Sequence, residues 1–339
     1  MTVRIDPDWT YHGLPLVRLE NRWCAVDVLA RSGGKILRLI DKVGDRNVLW
    51  ANPRIAPHEA PLFASFDDHW AGGWDDAFPG GAPSTDRYGE ATPYMGELWT
   101  ARWTWQVLDR DGPELELTVQ TPMTPARVTK TIRLRDDAPV LDVSYRIEHV
   151  GTRPFDYLWG VHPALAISPH HRFDVPATRG EVDDAMGSDL GRHGDSYAWP
   201  LVPQADGSTR DVRRVLAPDN GSLALHYLTG LQAGWVACTD TSTHRGFGLA
   251  FDPAVFPVVW LWMVYGAWRG YYHAVLEPWT SAPGRLSDAV AAGTAPVLEP
   301  GQERRTKVTA VLYGGIDQVT ELRADGTVAG RLLGTSETT

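Results

Sequence analysis

Residues 100–150 read TARWTWQVLDRDGPELELTVQTPMTPARVTKTIRLRDDAPVLDVSYRIEHV. They hold four runs in succession, TARWTWQVL, ELELTVQT, ARVTKTIRL and PVLDVSYRIEHV, separated by DRDGP, PMTP and RDDA, which carry the residues that turns require. In ELELTV and VTKTIRL apolar and polar residues alternate strictly. One side of each strand is therefore buried and the other wet, as in antiparallel sheets.

The pattern extends in both directions from there. CAVDVLA at 24–30 alternates, RSGG interrupts it, and KILRLIDK resumes at 35–42. SLALHYL, GWVACTD and FGLAFD repeat the theme after residue 221, and RTKVTAVLYGG at 305–315 closes it. No stretch offers three capped helical turns, which excludes βαβ folds, and no repeat of fixed period is visible, which weighs against a propeller or a solenoid. Segments rich in Pro, Gly and Asp at 52–61, 78–93 and 177–219 read as long rim loops, and loops of that length are commonly functional or disordered. The expectation is one all-β domain over residues 1–339, a large antiparallel β-supersandwich with few or no helices and a frayed tail, GTSETT.

Composition narrows the function. The chain has 339 residues, 43% hydrophobic and 22% charged, enough apolar material for a large core. A formal net charge of -10 with no basic cluster makes nucleic acid and acidic membrane surfaces poor partners. Two cysteines, Cys24 and Cys238, without a CxxC or zinc-type spacing argue against a disulfide framework and a structural metal. The first residues lack an apolar leader core, and nothing approaches the ~20 apolar residues of a membrane span. A cytoplasmic monomer or homodimer is expected. Fifteen tryptophans favour a carbohydrate as the small-molecule partner, since an indole stacks well on the C–H face of a sugar.

Three segments join polar chemistry to dense aromatics. DDHWAGGWDDAFPGG at 67–81 places Asp75 and Asp76 beside Trp74 and Phe78, with glycines that let the backbone approach something closely. An acidic turn in solvent is the plainer reading of that segment. WGVHPALAI at 159–167 sets His162 in an apolar strand just before Pro163, a residue that marks an edge, a bulge or a strand end. There His162 points into a rim pocket, or else it is a hydrogen-bonded core histidine. YYHAVLEPWTSAP at 271–283 brings Glu277 to the end of an apolar strand beside Pro278 and Trp279. Partial desolvation there raises a carboxyl pKa toward that of a useful general base. A strand-end glutamate in solvent is the alternative.

Together these segments resemble the aldose 1-epimerase (galactose mutarotase-like) superfamily, in particular members with a GGW-x-x-x-FP segment. The matching pieces are SGGKILRLIDK, NVLWANP, GGWDDAFP, MGELW, WGVHPALAI, LEPWTSAP and LEPGQE, in the family's order over nearly the whole chain. The resemblance implies a β-supersandwich with a sugar cleft. It also implies anomer interconversion without a cofactor: Glu277 takes the proton from the anomeric hydroxyl and His162 gives one to the ring oxygen. It further implies hydroxyl binding by Asp76 and stacking by Trp74, Trp159 and Trp279.

The chain departs from the family at Met95, where many members carry a second histidine. Either His69, His273 or Arg269 would then supply the missing substrate contact, or the substrate differs from a free hexose. Two other functions fit the same scaffold. One is a non-catalytic sugar-binding protein or sensor. The other is a lyase or hydrolase, for which Asp75 or Asp76 with Glu277 would form the carboxylate pair.

Overall fold

The computed structural model describes residues 2–183 and 189–334; residues 335–339 of the tail expected to fray lie outside these. Two compact units emerge, Met1–Pro163 with Trp279–Lys307, and Ala164–Pro278 with Val308–Thr339.

In the first unit the chain opens with β1 (Arg4–Tyr11), β2 (Leu14–Glu20), β3 (Cys24–Leu29) and β4 (Lys35–Asp41), with β5 (Arg46–Asn47) paired to β4. A one-turn helix, α1 (Phe66–His69), precedes β6 (Trp74–Ala77) and the small hairpin β7 (Ser84–Thr85) and β8 (Ala91–Thr92). The four runs of residues 100–150 are β9 (Thr104–Asp109), β10 (Pro113–Gln120), β11 (Ala126–Leu134) and β12 (Val140–His149). They pair antiparallel in sequence order. β13 (Phe155–Asp156) and β14 (Gly160–Leu165) follow, and one sheet of the unit runs β1-β2-β3-β4-β6-β14.

The alternation read from the sequence sets which side of β10–β12 is buried. Register pairs Leu115 with Ile132, Val119 with Val128, and Ile132 with Val143, all of them in the core. Polar residues such as Thr129, Thr131 and Ser144 take the other face. One position breaks the rule. Lys130 is in phase with Val128 and Ile132, opposite Leu117 and Tyr145, and its side chain is wholly buried.

In the second unit β15 (His171–Asp174) is followed by β16 (Arg179–Val182), β17 (Ser196–Ala198), β18 (Leu201–Pro203) and β19 (Thr209–Asp211). These short strands occupy part of the segment read from sequence as a rim loop. β20 (Ser222–Thr229), β21 (Trp235–Asp240), β22 (Arg245–Ala250), β23 (Val258–Tyr265) and β24 (Tyr272–Trp279) complete its main strands, with the order β24-β23-β20-β16-β17 in one sheet. A second helix, α2 (Leu286–Ala291), and β25 (Val297–Leu298), which pairs β13, belong to the first unit. β26 (Glu303–Gly314) then pairs through its later residues with β22, and β27 (Gln318–Leu322) pairs β28 (Val328–Arg331). The architecture is all-β and antiparallel, with two short α-helices and one 3-10 turn (Pro218–Asn220) among the described residues. None of these is long and apolar enough to cross a membrane.

Candidate functional site

The GGWDD segment is held by close backbone contacts. Gly72 and Gly73 have φ of 81° and 85°, and a Cβ on Gly72 would lie 2.3 Å from the Trp50 carbonyl oxygen. Glycine is the residue that tolerates both demands. The Gly73 amide donates to Trp50 O at 2.8 Å, and the Asn52 amide donates to Ala71 O at 3.0 Å. This fixes where β6 starts, and β6 pairs antiparallel with β14 in the register Gly160↔Ala77, Val161↔Asp76, His162↔Asp75 and Pro163↔Trp74. Pro163 does not end the strand, which continues to Leu165. It is the last β14 residue paired with β6, as befits a residue without an N–H to donate.

Successive strand residues point to opposite faces, so the two aspartates of β6 part company. Asp76 turns inward to β11 and β12. Lys130 Nζ donates to its Oδ2 at 2.7 Å and to Gly34 O at 3.0 Å, and the Tyr145 hydroxyl donates to its Oδ1 at 2.8 Å. Burial pushes the Tyr145 phenol well above its ordinary range, and the Asp76 carboxylate adds to this. Both oxygens of Asp76 are thus engaged inside the unit. The expectation that it binds a sugar hydroxyl is corrected accordingly: its oxygens face Lys130 and Tyr145.

Asp75 lies on the other face, directly across from His162. Its Oδ2 accepts from Trp70 Nε1 at 3.0 Å and stands 3.2 Å from Lys35 Nζ, which also donates to Gly72 O at 2.9 Å. Its Oδ1 is buried and has no hydrogen-bond partner among the described residues. Burial pushes the Asp75 carboxyl up from the usual range, while Lys35 and Trp70 pull it back.

His162 is 3% exposed. Its ring meets Trp70 edge-on at 5.4 Å and Phe66 at 5.8 Å, and Phe66 in turn packs on Trp99 at 5.1 Å and Tyr94 at 5.8 Å. Burial among these rings takes the imidazole pKa down to about 3, with the Lys35 ammonium pushing the same way. His162 is therefore neutral at physiological pH and offers one N–H donor. α1 supplies this wall by presenting Phe66 at its start, with Trp70 following its end.

The remaining expected residues fall as follows. Trp74, Trp159 and Trp279 are wholly buried. Trp159 meets the Tyr145 ring at 5.2 Å, and a Cβ on Gly160 would come within 2.2 Å of the Trp279 ring. These indoles are interior packing, and none presents a face on which a sugar could stack. His69, at the end of α1, is hydrogen-bonded to His58 at 2.7 Å. Met95 is buried at φ 60°, with its amide donating to Gly81 O.

In the second unit Glu277 is 2% exposed and lies within β24 rather than at its end. Strand alternation places it on the same face as His273, whose buried ring meets Trp262 edge-on at 5.0 Å. Arg269 is exposed, at φ 54°, with its guanidinium 5.3 Å from the centre of the Trp268 ring.

Lys35, Lys130, Tyr145, Phe66 and Trp70 were not singled out in the sequence, although one signal was present. VTKTIRL sets Lys130 in phase with its apolar neighbours, and a lysine at an inward position calls for a buried carboxylate. A cavity of about 530 Å³ elsewhere in the first unit, under the β7–β8 hairpin and lined by Tyr88, Thr92, Glu97, Arg153 and Phe155, contains none of the expected site residues. Among the described residues no group of three or more His, Cys, Asp or Glu is arranged to hold a metal ion.

No protein-family model matches the chain, and no curated protein matches it in sequence. Solved structures do. A candidate aldose 1-epimerase from Klebsiella pneumoniae superposes with a TM-score of 0.69 at 14% identity, over 91% of this chain and 83% of that one. A galactose mutarotase-like protein from Clostridium acetobutylicum gives 0.67 at 13% identity, over 92% and 98%. A Synechocystis protein gives 0.66 at 16% identity, over 91% and 99%. At such identities the likeness is one of fold. The chain has the galactose mutarotase-like β-sandwich architecture that its sequence resemblance implied.

Proposed function

We propose that this protein interconverts the anomers of an aldose or related sugar, with Glu277 as the base at the anomeric hydroxyl and His162 as the donor to the ring oxygen. The observation that carries the proposal is His162 itself: a buried imidazole, held neutral between Phe66 and Trp70, on a fold shared with mutarotase-like proteins. In the forward step the base removes the hydroxyl proton, the C1–ring-oxygen bond breaks, and the aldehyde forms. Negative charge gathers on the former ring oxygen, where a neutral imidazole N–H stabilises it and passes its proton as the charge builds. Rotation about C1–C2 and the reverse steps give the other anomer.

Two measurements test this. Glu277→Gln abolishes anomer exchange in saturation-transfer NMR while leaving the fold intact; exchange at the parent rate would overturn the assignment. Because His162 acts neutral, kcat/KM does not fall as pH rises through 6.5. A basic limb near that pH, absent from His162→Gln, would show instead that the imidazolium is the acid.

Sugar binding without turnover remains the second reading, supported by Met95, whose buried thioether cannot donate a hydrogen bond where many relatives carry a histidine. Calorimetric titration with a sugar panel, run beside the exchange assay, separates the two: tight binding without exchange identifies a sensor.

A further inference from the structure

Resting on the reading of the protein as one that handles sugars, we infer that Asp75 is a substrate-binding residue whose Oδ1 accepts a hydrogen bond from one sugar hydroxyl. The carboxylate is built for this on one side only. Trp70 Nε1 and Lys35 Nζ both fix Oδ2, so the group is oriented and its charge is matched. Oδ1 is buried on the same face of the β6–β14 pair as His162 and has no hydrogen-bond partner among the described residues. Asp76, one residue on, shows what a purely structural aspartate looks like here, with both oxygens satisfied. A buried carboxylate oxygen left unpaired is costly unless a polar partner arrives, and an in-register position opposite His162 makes a bound sugar the fitting one.

Phe66 and Trp70 cover this face, so binding entails an outward movement of the segment containing α1. Trp70 links that movement to the site. Its indole packs on His162 and holds Asp75, so the covering segment and the two polar groups shift together.

The test is a calorimetric titration of wild type and Asp75→Asn with D-glucose, D-galactose and each of their monodeoxy derivatives, alongside the exchange assay. Asparagine keeps the shape and the acceptor for Trp70 and loses the charge. Affinity for the parent sugar is expected to fall about 10–100-fold in the variant. One deoxy derivative, lacking the hydroxyl that Asp75 accepts, binds both proteins alike. Trp70→Phe, which removes one of the two partners of Oδ2 but keeps a ring beside His162, weakens the same hydroxyl's contribution by a smaller factor and serves if Asp75→Asn does not fold. A uniform loss across all derivatives, or no loss, overturns the assignment while leaving the anomerase reading standing if exchange persists. A wild type that binds none of these sugars and exchanges none overturns both.

Discussion

The two faces of the short strand β6 treat a buried carboxylate differently. On the inner face Asp76 meets Lys130 and Tyr145, residues of the facing sheet, and every oxygen is used. On the outer face Asp75 meets Lys35 and Trp70 through a single oxygen, next to a histidine kept neutral by aromatic walls. The inner arrangement is closed, so it stabilises and can do little else. The outer arrangement is polar, incompletely satisfied and covered by a one-turn helix, which suits a group that waits for a ligand. Adjacent identical residues thus acquire different surroundings from strand alternation alone.

The largest effect expected from breaking this contrast lies on the inner face. Lys130→Met leaves the Asp76 charge buried with only the Tyr145 hydroxyl, and a buried pair broken in this way costs about 3–5 kcal/mol. Urea denaturation at neutral pH measures it, and the double variant Lys130→Met with Asp76→Leu should recover much of the loss. A small effect would mean that water reaches this pair.

On the outer face Asp75→Asn costs less, about 2 kcal/mol, because the amide oxygen still accepts from Trp70 and Lys35 keeps its bond to the Gly72 carbonyl. Equal losses for Asp75→Asn and Asp76→Asn would erase the contrast between the faces.

The third effect is graded with pH. His162 titrates at about 3 in the folded chain, and His226, buried against the Tyr197 hydroxyl, at about 4. Above the unfolded value of about 6.5 both rings are neutral in either state, and nothing is lost. As pH falls below it the unfolded chain takes up protons that the folded chain refuses, so stability declines by about 1.4 kcal/mol per pH unit for each ring. The decline ends as each folded value is passed. His162→Gln should remove one such slope from denaturation curves collected between pH 6.5 and 4.5. An unchanged slope would place the ring in contact with solvent.

Much of the fold could be read from period-2 alternation. The strands of residues 100–150 appear where ELELTVQT, ARVTKTIRL and PVLDVSYRIEHV predict them, and CAVDVLA and KILRLIDK become β3 and β4. The misses have physical causes. β16–β19 are three or four residues long amid Gly, Pro and Asp, too short for alternation to register. α2 has six residues, below any periodic signal. Pro163 marks an edge, a bulge or a strand end in the sequence, and in the fold β14 runs past it to Leu165 while its pairing with β6 ends there.

At the site, His162 stood out because it sits in an apolar strand immediately before a proline. The resemblance assigned hydroxyl binding to Asp76, and nothing in the sequence sets it apart from Asp75. The distinction depends on which face of β6 meets Lys130, a residue 54 positions away, and therefore on a register that only the folded chain displays. The tryptophans misled for a related reason. Abundance says that indoles pack something, and Trp74, Trp159 and Trp279 turn out to pack the interior.

A crystal structure of the protein soaked with a monosaccharide tests the account most directly. It should show the sugar on the outer face of β6 and β14 with the Phe66–Trp70 segment displaced. A His162 ring nitrogen should lie about 3 Å from the sugar's ring oxygen, and Asp75 Oδ1 at a similar distance from one hydroxyl. A sugar seated in the cavity under the β7–β8 hairpin, with His162 and Asp75 still covered, would contradict it.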